Sequence, residues 1–215
     1  MSIARELLVI NPNTTEAVTR LLREHVQAEA GGQATVRAVT ARFGAPYIAD
    51  EASYAVAGHA VLDAWQAAAF DGPVLIGCFG DPGLFALREC SGAPVAGLAE
   101  ASFEEAAAYG RFAVVTGGTR WEPMLRRLAQ ALGFDAHLAG IHTVAPTGAQ
   151  LAADLQGAHA LLAQACRDAA QRFDARAIIV GGAALAGMAE VLQPRCPVPL
   201  IDSVRAGARR LLARA

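Results

Sequence analysis

Short β-branched and leucine-rich runs alternate along the chain with stretches whose apolar residues recur about every three to four positions. The runs are Glu6–Ile10, Ala34–Val39, Val74–Ile76, Val95–Leu98, Phe112–Thr116, His137–Val144, Ile178–Val180 and Pro199–Ile201. Continuous apolar runs of this length suit strands buried on both faces. The longer periods predict helices from Thr14, over Ser53–Ala69, Asp81–Glu89, Glu100–Tyr109 and Trp121–Leu132, from Thr147 to Phe173, and at the Arg-rich C-terminus. Two starts carry capping-box patterns: Asn13 with Glu16, and Thr147 with Gln150. An irregular loop through Phe43-Gly44-Ala45-Pro46 separates the second strand from its helix. Strands and helices alternating in this way predict an α/β fold with mainly parallel sheets.

Two segments read almost as copies. Val74-Leu75-Ile76-Gly77-Cys78-Phe79-Gly80-Asp81-Pro82-Gly83-Leu84 and Ile178-Ile179-Val180-Gly181-Gly182-Ala183-Ala184-Leu185-Ala186-Gly187-Met188 each hold an apolar run, a glycine, a variable loop and a second glycine. Duplicated strand–turn–helix elbows suggest two similar lobes facing one cleft. The first elbow carries a thiol, Cys78. The matching position of the second is Gly182. The expected division is residues 1–97 for one lobe and 98–197 for the other, with residues 198–215 packing back on the first.

Composition narrows the function. With 54% hydrophobic and 18% charged residues the chain can bury a substantial core. A net charge of −2 gives no footprint for nucleic acid or an anionic membrane. No stretch approaches the roughly 18–20 unbroken apolar residues of a membrane span, and the opening MSIARELLVINPN is too short in apolar run for a secretion signal. A soluble cytoplasmic protein is expected, without nucleic-acid or membrane partners. All 18 basic residues are Arg, which removes pyridoxal-phosphate enzymes, Schiff-base aldolases and Walker P-loops, each of which needs a Lys.

Four predicted strand ends carry small polar or glycine-rich loops: Asn11–Thr15, Gly77–Asp81, Thr116–Thr119 and Gly181–Ala184. Turn punctuation alone explains any one of them. Together they predict a shared anion-holding cleft, because ligands of open α/β sheets bind beyond the strands' carboxyl ends near helix N-termini. Cys78, ahead of a helix, is expected to have a lowered thiol pKa. Cys166, in helical register with Leu151, Leu155 and Leu162, is expected in the core. Cys90 and Cys196 lack a supporting pattern, and the five scattered His show no metal-ligand spacing. No G-x-S-x-G or G-x-G-x-x-G motif is present.

Leu8–Thr15, the Gly-Cys-Phe-Gly-Asp-Pro-Gly-Leu run at 77–84, Ala99-Glu100-Ala101-Ser102 and Val114-Val115-Thr116 together resemble the hydantoin/allantoin racemase branch of the aspartate/glutamate racemase superfamily. The resemblance spans nearly the whole chain. It implies two pseudo-symmetric α/β lobes, each a mainly parallel sheet flanked by helices, with the site in the cleft between them. It also implies cofactor-independent racemisation by two cysteines, one from each lobe, on a hydantoin, ureide or amino-acid-like small molecule. The corresponding site residues are Cys78 as acid/base, with Asn13, Thr14, Phe79, Gly80, Asp81, Thr116, Gly117, Gly118, Gly182 and Ala183 binding substrate, in a homo-oligomer. The chain departs from the branch at Gly182, where a second Cys usually stands. Three readings follow: an isomerase with another second proton donor, a single-thiol decarboxylase or Cys-nucleophile isomerase, and a small-molecule binding protein without catalysis.

Overall fold

A computed structural model describes residues 5–214. The first sheet is built from β1 (Arg5–Asn11), β2 (Ala34–Thr40), β3 (Val74–Ile76) and β4 (Val95–Gly97), in the order β2-β1-β3-β4. The second is built from β5 (Phe112–Gly117), β6 (Leu138–Val144), β7 (Ala177–Gly181) and β8 (Leu200–Asp202), in the order β6-β5-β7-β8. All pairings are parallel. The two orders are the same, so β1 matches β5 and β3 matches β7. The two lobes expected from the sequence, each a parallel sheet flanked by helices, are present.

The strands read as unbroken apolar runs because both faces are covered, and the two-residue period sorts them. On β1, Leu7 and Val9 enter one core while Leu8 and Ile10 enter another. On β7, Ala177 and Ile179 join the same core as Leu7, and Ile178 and Val180 join a third. The shared core lies between the sheets. It also takes Leu98 and Phe103 of α4 (Leu98–Ala107) and Val204, Ala208 and Leu211 of α9 (Ser203–Arg214). Helix α9 packs on α4, on α1 (Glu16–Ala30), and over β3, where a Cβ on Gly207 would meet Leu98 and Leu75. Helices α2 (Glu51–Ala68) and α3 (Leu84–Ser91) cover the outer face of the first sheet. On the second, α7 (Leu155–Phe173) and α8 (Met188–Leu192) do so, and α5 (Trp121–Ala131) adds to the shared core.

Several local expectations are corrected. Helix α1 begins at Glu16 behind Thr15, not behind Asn13. Asn13 instead forms a tight turn in which its Oδ1 accepts from the Thr15 N–H at 2.9 Å. A short polar side chain bonding two residues ahead competes with helix initiation. Helix α3 starts at Leu84, because Asp81 sits at φ 52° and cannot continue a helix backwards. The long helix from Thr147 is two: α6 (Gly148–Ala153), opened by the Thr147/Gln150 capping box, then α7. Asp154 ends the first with φ −127° and ψ 82°, and caps the second through the Gly157 N–H at 3.0 Å. Strand β8 pairs with β7, so the second sheet continues past the expected limit at residue 197. Residues 1–4 and 215, included in the expected lobe limits, lie outside the described residues.

Candidate active site

The carboxyl ends of the matched strands β1, β3, β5 and β7 open into one cavity of about 70 Å³. One water needs roughly 10–15 Å³ of such space, so a molecule of several heavy atoms fits. Asn13 after β1, Cys78 and Phe79 after β3, Thr116, Gly117 and Gly118 of β5 and its turn, and Gly182 and Ala183 after β7 all line it. These eight sequence-assigned residues are brought together.

Thr14, Gly80 and Asp81 are not at the cavity wall, and each has a different task. The Thr14 N–H donates to the Ala45 carbonyl at 3.2 Å, and Thr15 Oγ1 donates to the Pro46 carbonyl at 2.6 Å. These bonds staple the 41–50 loop across the site. The Gly80 carbonyl accepts from the Tyr54 hydroxyl at 2.7 Å. Asp81 is buried; its two carboxylate oxygens accept from the Ala99 and Glu100 N–H groups at 2.8 Å each and so cap α4. Burial raises the Asp81 carboxyl to about 7, and the charge of Glu100 adds to the rise, against the N–H bonds that lower it. The family-like Ala99-Glu100 pair thus serves as the seat of Asp81. The Glu100 side chain itself turns away to Arg88, at 3.0 Å through Nη1, and to Arg210, at 3.4 Å.

Cys78 is 7% exposed and belongs to the shared core. The expected lowering of its thiol pKa is reversed. Burial pushes the thiol well above its ordinary value of 9.0, and the Asp81 carboxylate pushes it further. The helix that was to stabilise a thiolate begins only at Leu84. Cys78 is therefore a neutral thiol at rest. Cys166 is fully buried in the outer core of the second sheet, the place expected for it, and burial lifts its thiol to about 12.

The two elbows share the glycine after the strand and the left-handed glycine before the helix. Gly83 and Gly187 each precede a helix with φ 79° and 82°. Between those glycines the elbows differ. Gly182 has φ 145°, a conformation open to glycine and strained for any other residue, and its N–H donates to Ser203 Oγ at 3.2 Å. The Phe79 ring lies so close to Gly181 that a Cβ there would stand 2.3 Å from its Cε1. A glycine is required at that crossing of the lobes.

The remaining wall was missed by sequence reasoning. Tyr47, Ile48 and Ala49 come from the 41–50 loop, Trp121 from the start of α5, and Thr147 and Gly148 from the start of α6. The available signal was the ten-residue loop after β2 with its aromatic residue, since long loops at strand ends commonly carry function. No acidic or basic side chain lines the cavity among the described residues. The expected anion-holding cleft is accordingly a neutral one. The Asn13 Oδ1 is engaged by Asn11 Nδ2 at 3.0 Å and by the Thr15 N–H, which leaves the amide N–H groups to meet a ligand acceptor.

Comparison with known proteins agrees with this arrangement. The Asp/Glu/Hydantoin racemase family profile matches residues 7–211. The chain is 31% identical over 207 residues to a hydantoin racemase of Pseudomonas sp., covering 95% of this chain and 83% of that one. It is 30% identical over 207 residues to the hydantoin racemase of Paenarthrobacter aurescens, with 94% and 88% covered. Among solved structures it is similar to allantoin racemase from Klebsiella pneumoniae, with a TM-score of 0.90, 32% identity and coverage of 97% of this chain and 86% of that one. A glutamate racemase from Bacillus anthracis, at 16% identity, a TM-score of 0.71 and 97% and 80% coverage, shares the fold. Sheet order, paired elbows and matches along almost the whole length converge: the chain belongs to the Asp/Glu/hydantoin racemase family.

Proposed function

We propose that the protein acts on a small uncharged hydantoin or ureide, moving a proton at the carbon beside a ring carbonyl, with Cys78 as its one acid/base thiol. The observation that carries this reading is the neutral cavity with Cys78 on one wall and Gly182 on the other. An amino-acid zwitterion or a dicarboxylate buried there would lack charged partners, at a cost of several kcal/mol. A hydantoin ring offers carbonyls and N–H groups that neutral amide, hydroxyl and backbone groups can pair. The names of the relatives, hydantoin and allantoin racemases, agree with that chemistry.

In the forward step the small thiolate fraction of Cys78, its thiol proton released to solvent, takes the ring C–H proton, and the charge moves to the carbonyl oxygen as an enolate. The Asn13 amide and the loop backbone are the neutral donors available to that oxygen. Cys78 then returns a proton to the face it came from. Gly182 and Ala183 carry no ionisable group, and the hydroxyls of the cavity wall belong to Thr116, Thr147 and Tyr47. The expected outcome is isotope exchange with retention, faster than racemisation. No cofactor is needed, because the enolate forms beside an existing carbonyl.

The neutral resting thiol favours a second reading, in which Cys78 only delivers a proton to an enolate left by decarboxylation. A malonate-type substrate brings carboxylates, however, and no cationic side chain lines the cavity among the described residues. Both readings are tested by proton NMR in deuterated water on each enantiomer of 5-substituted hydantoins and allantoin, with an arylmalonate alongside. Cys78-dependent loss of the ring C–H signal, with optical rotation lagging, supports the first. Carbon dioxide release from the malonate alone supports the second, and neither signal leaves only a binding protein.

A further inference from the structure

The turn that carries the thiol is tied down from outside the cavity by a residue that does not line it. Cys78, Phe79, Gly80 and Asp81 form a four-residue turn closed by the Asp81 N–H donating to the Cys78 carbonyl at 3.1 Å. Asp81 fastens one end of this turn to α4. Tyr54, in the first turns of α2, fastens the middle by donating its hydroxyl to the Gly80 carbonyl at 2.7 Å. The same ring meets Trp121 of the other lobe edge to face, with centroids 6.4 Å apart. Gly80 is wedged between them: a Cβ on it would lie 2.6 Å from the Trp121 ring and 3.4 Å from Tyr54.

The start of α2 is also the place where the lobes are clasped. Glu51 receives both terminal nitrogens of Arg127 on α5, at 2.8 and 2.9 Å. Asp50, the N-cap of α2, meets Arg120 at 3.4 Å. On either side of this clasp stand cavity residues, Ile48 and Ala49 before Asp50, and Gly118 and Trp121 around Arg120. With α5 docked against α2, Trp121 packs on Gly80 and meets the Tyr54 ring.

We propose that Tyr54 is a positioning residue: it holds the Cys78 turn in its reactive orientation only when the Glu51–Arg127 clasp has closed the cleft. This builds on the reading of Cys78 as the acting thiol. The hydroxyl touches no cavity atom, so its effect runs through the Gly80 carbonyl. The ion pairs are exposed, and salt weakens them.

Site-resolved alkylation of Cys78 by iodoacetamide, read by peptide mass spectrometry, tests this on the full chain. Exposed Cys90 in the same sample is the internal control. Tyr54→Phe, checked for an unchanged circular dichroism spectrum, should raise the Cys78 labelling rate on the order of tenfold, the consequence of losing one part-buried hydrogen bond. Cys90 labelling should stay constant. Arg127→Ala should raise Cys78 labelling too and should abolish the rise that added salt produces in the parent. On a substrate that exchanges, Tyr54→Phe should lower kcat roughly tenfold to a hundredfold with KM held within about twofold. Unchanged Cys78 labelling in a folded Tyr54→Phe variant, or parent labelling insensitive to salt, overturns the proposal. If the parent exchanges no substrate, the functional reading fails separately and the labelling alone decides the role of Tyr54.

Discussion

Cys78 and Gly182 look into one cavity from matching places on the two sheets, each five residues ahead of a left-handed glycine that starts the next helix. The scaffold around them is duplicated and the side chain is not. Asp81 on the thiol side seats α4 through two N–H groups, and on the other side Asp202 accepts from Gly187 at 2.6 Å and Val204 at 2.9 Å. Both lobes therefore keep their cleft-facing turns fixed by a buried carboxylate. Only the first turn carries a thiol.

Cys78→Ala should abolish proton exchange and also lower stability. The thiol is packed in the core shared by the two sheets, so its removal costs about 1 kcal/mol, whereas an exposed turn residue would cost close to nothing. Cys166→Ala, in the outer core, should cost a similar amount and leave exchange intact. Urea denaturation beside the NMR assay checks both. Full exchange by a folded Cys78→Ala protein would falsify the assignment of the thiol.

The pH profile follows from the neutral resting thiol. Any rate limited by the Cys78 thiolate should climb with pH through 9.0, the ordinary value, without a plateau there. Stability runs the other way. A thiol whose pKa is raised by folding contributes in full below its unfolded value near 9.0 and loses that contribution as pH rises toward the folded value. Cys78→Ala and Cys166→Ala should each flatten the alkaline loss of stability. A rate plateau near neutral pH in the parent would mean that the thiol is activated by something other than its static surroundings.

Fold and site were legible to different depths. The duplicated elbows and apolar runs gave the paired sheets, because a strand buried on both faces has a pattern few other elements share. Eight cavity residues followed, since they sit at strand ends fixed by that pattern. Asp81, Gly80 and Thr14 belong to the same motifs but face away from the cavity. Sequence spacing places a residue in a turn without saying which way its side chain or carbonyl is aimed. The reversal at Cys78 has a similar origin. A glycine-rich turn near a helix reads as electropositive, yet burial and the neighbouring Asp81 decide the outcome. Tyr47, Trp121 and Tyr54 reach the site region from loops and helix starts far away in sequence, where no local period marks them.

Asp81→Ala should be among the most damaging substitutions outside the cavity wall. It removes two acceptors at 2.8 Å from the first N–H groups of α4 and frees the turn next to Cys78. A loss of roughly 2–3 kcal/mol is expected, each orphaned buried N–H costing about 1 kcal/mol or more. Asp81→Asn keeps one acceptor and should lose about half as much. Calorimetric melting of the three proteins measures the ordering, and equal stability of Asp81→Ala and parent would remove Asp81 as the anchor of the elbow.

Gly182→Cys tests the proposed one-sided exchange by placing a second thiol opposite Cys78. The space is nearly sufficient: a Cβ would stand 3.4 Å from Leu185 Cγ and 3.5 Å from its Cδ1, contacts that small movements relieve. The backbone is the obstacle, because φ 145° is strained for a cysteine by about 1–3 kcal/mol. The added residue must either bear that strain or rotate into an extended conformation and shift the N–H that now donates to Ser203 Oγ. Either way the melting temperature should fall by a few degrees, at roughly 2–4 °C per kcal/mol for a domain of this size. Racemisation of a hydantoin should rise above the parent while Cys78-dependent exchange persists, and Cys78→Ala in the same background should abolish the gain. Circular dichroism establishes folding first; optical rotation and proton NMR on one sample then separate racemisation from exchange. A folded Gly182→Cys protein with no gain, beside a parent that already racemises as fast as it exchanges, would show that a second proton donor other than residue 182 serves the opposite face.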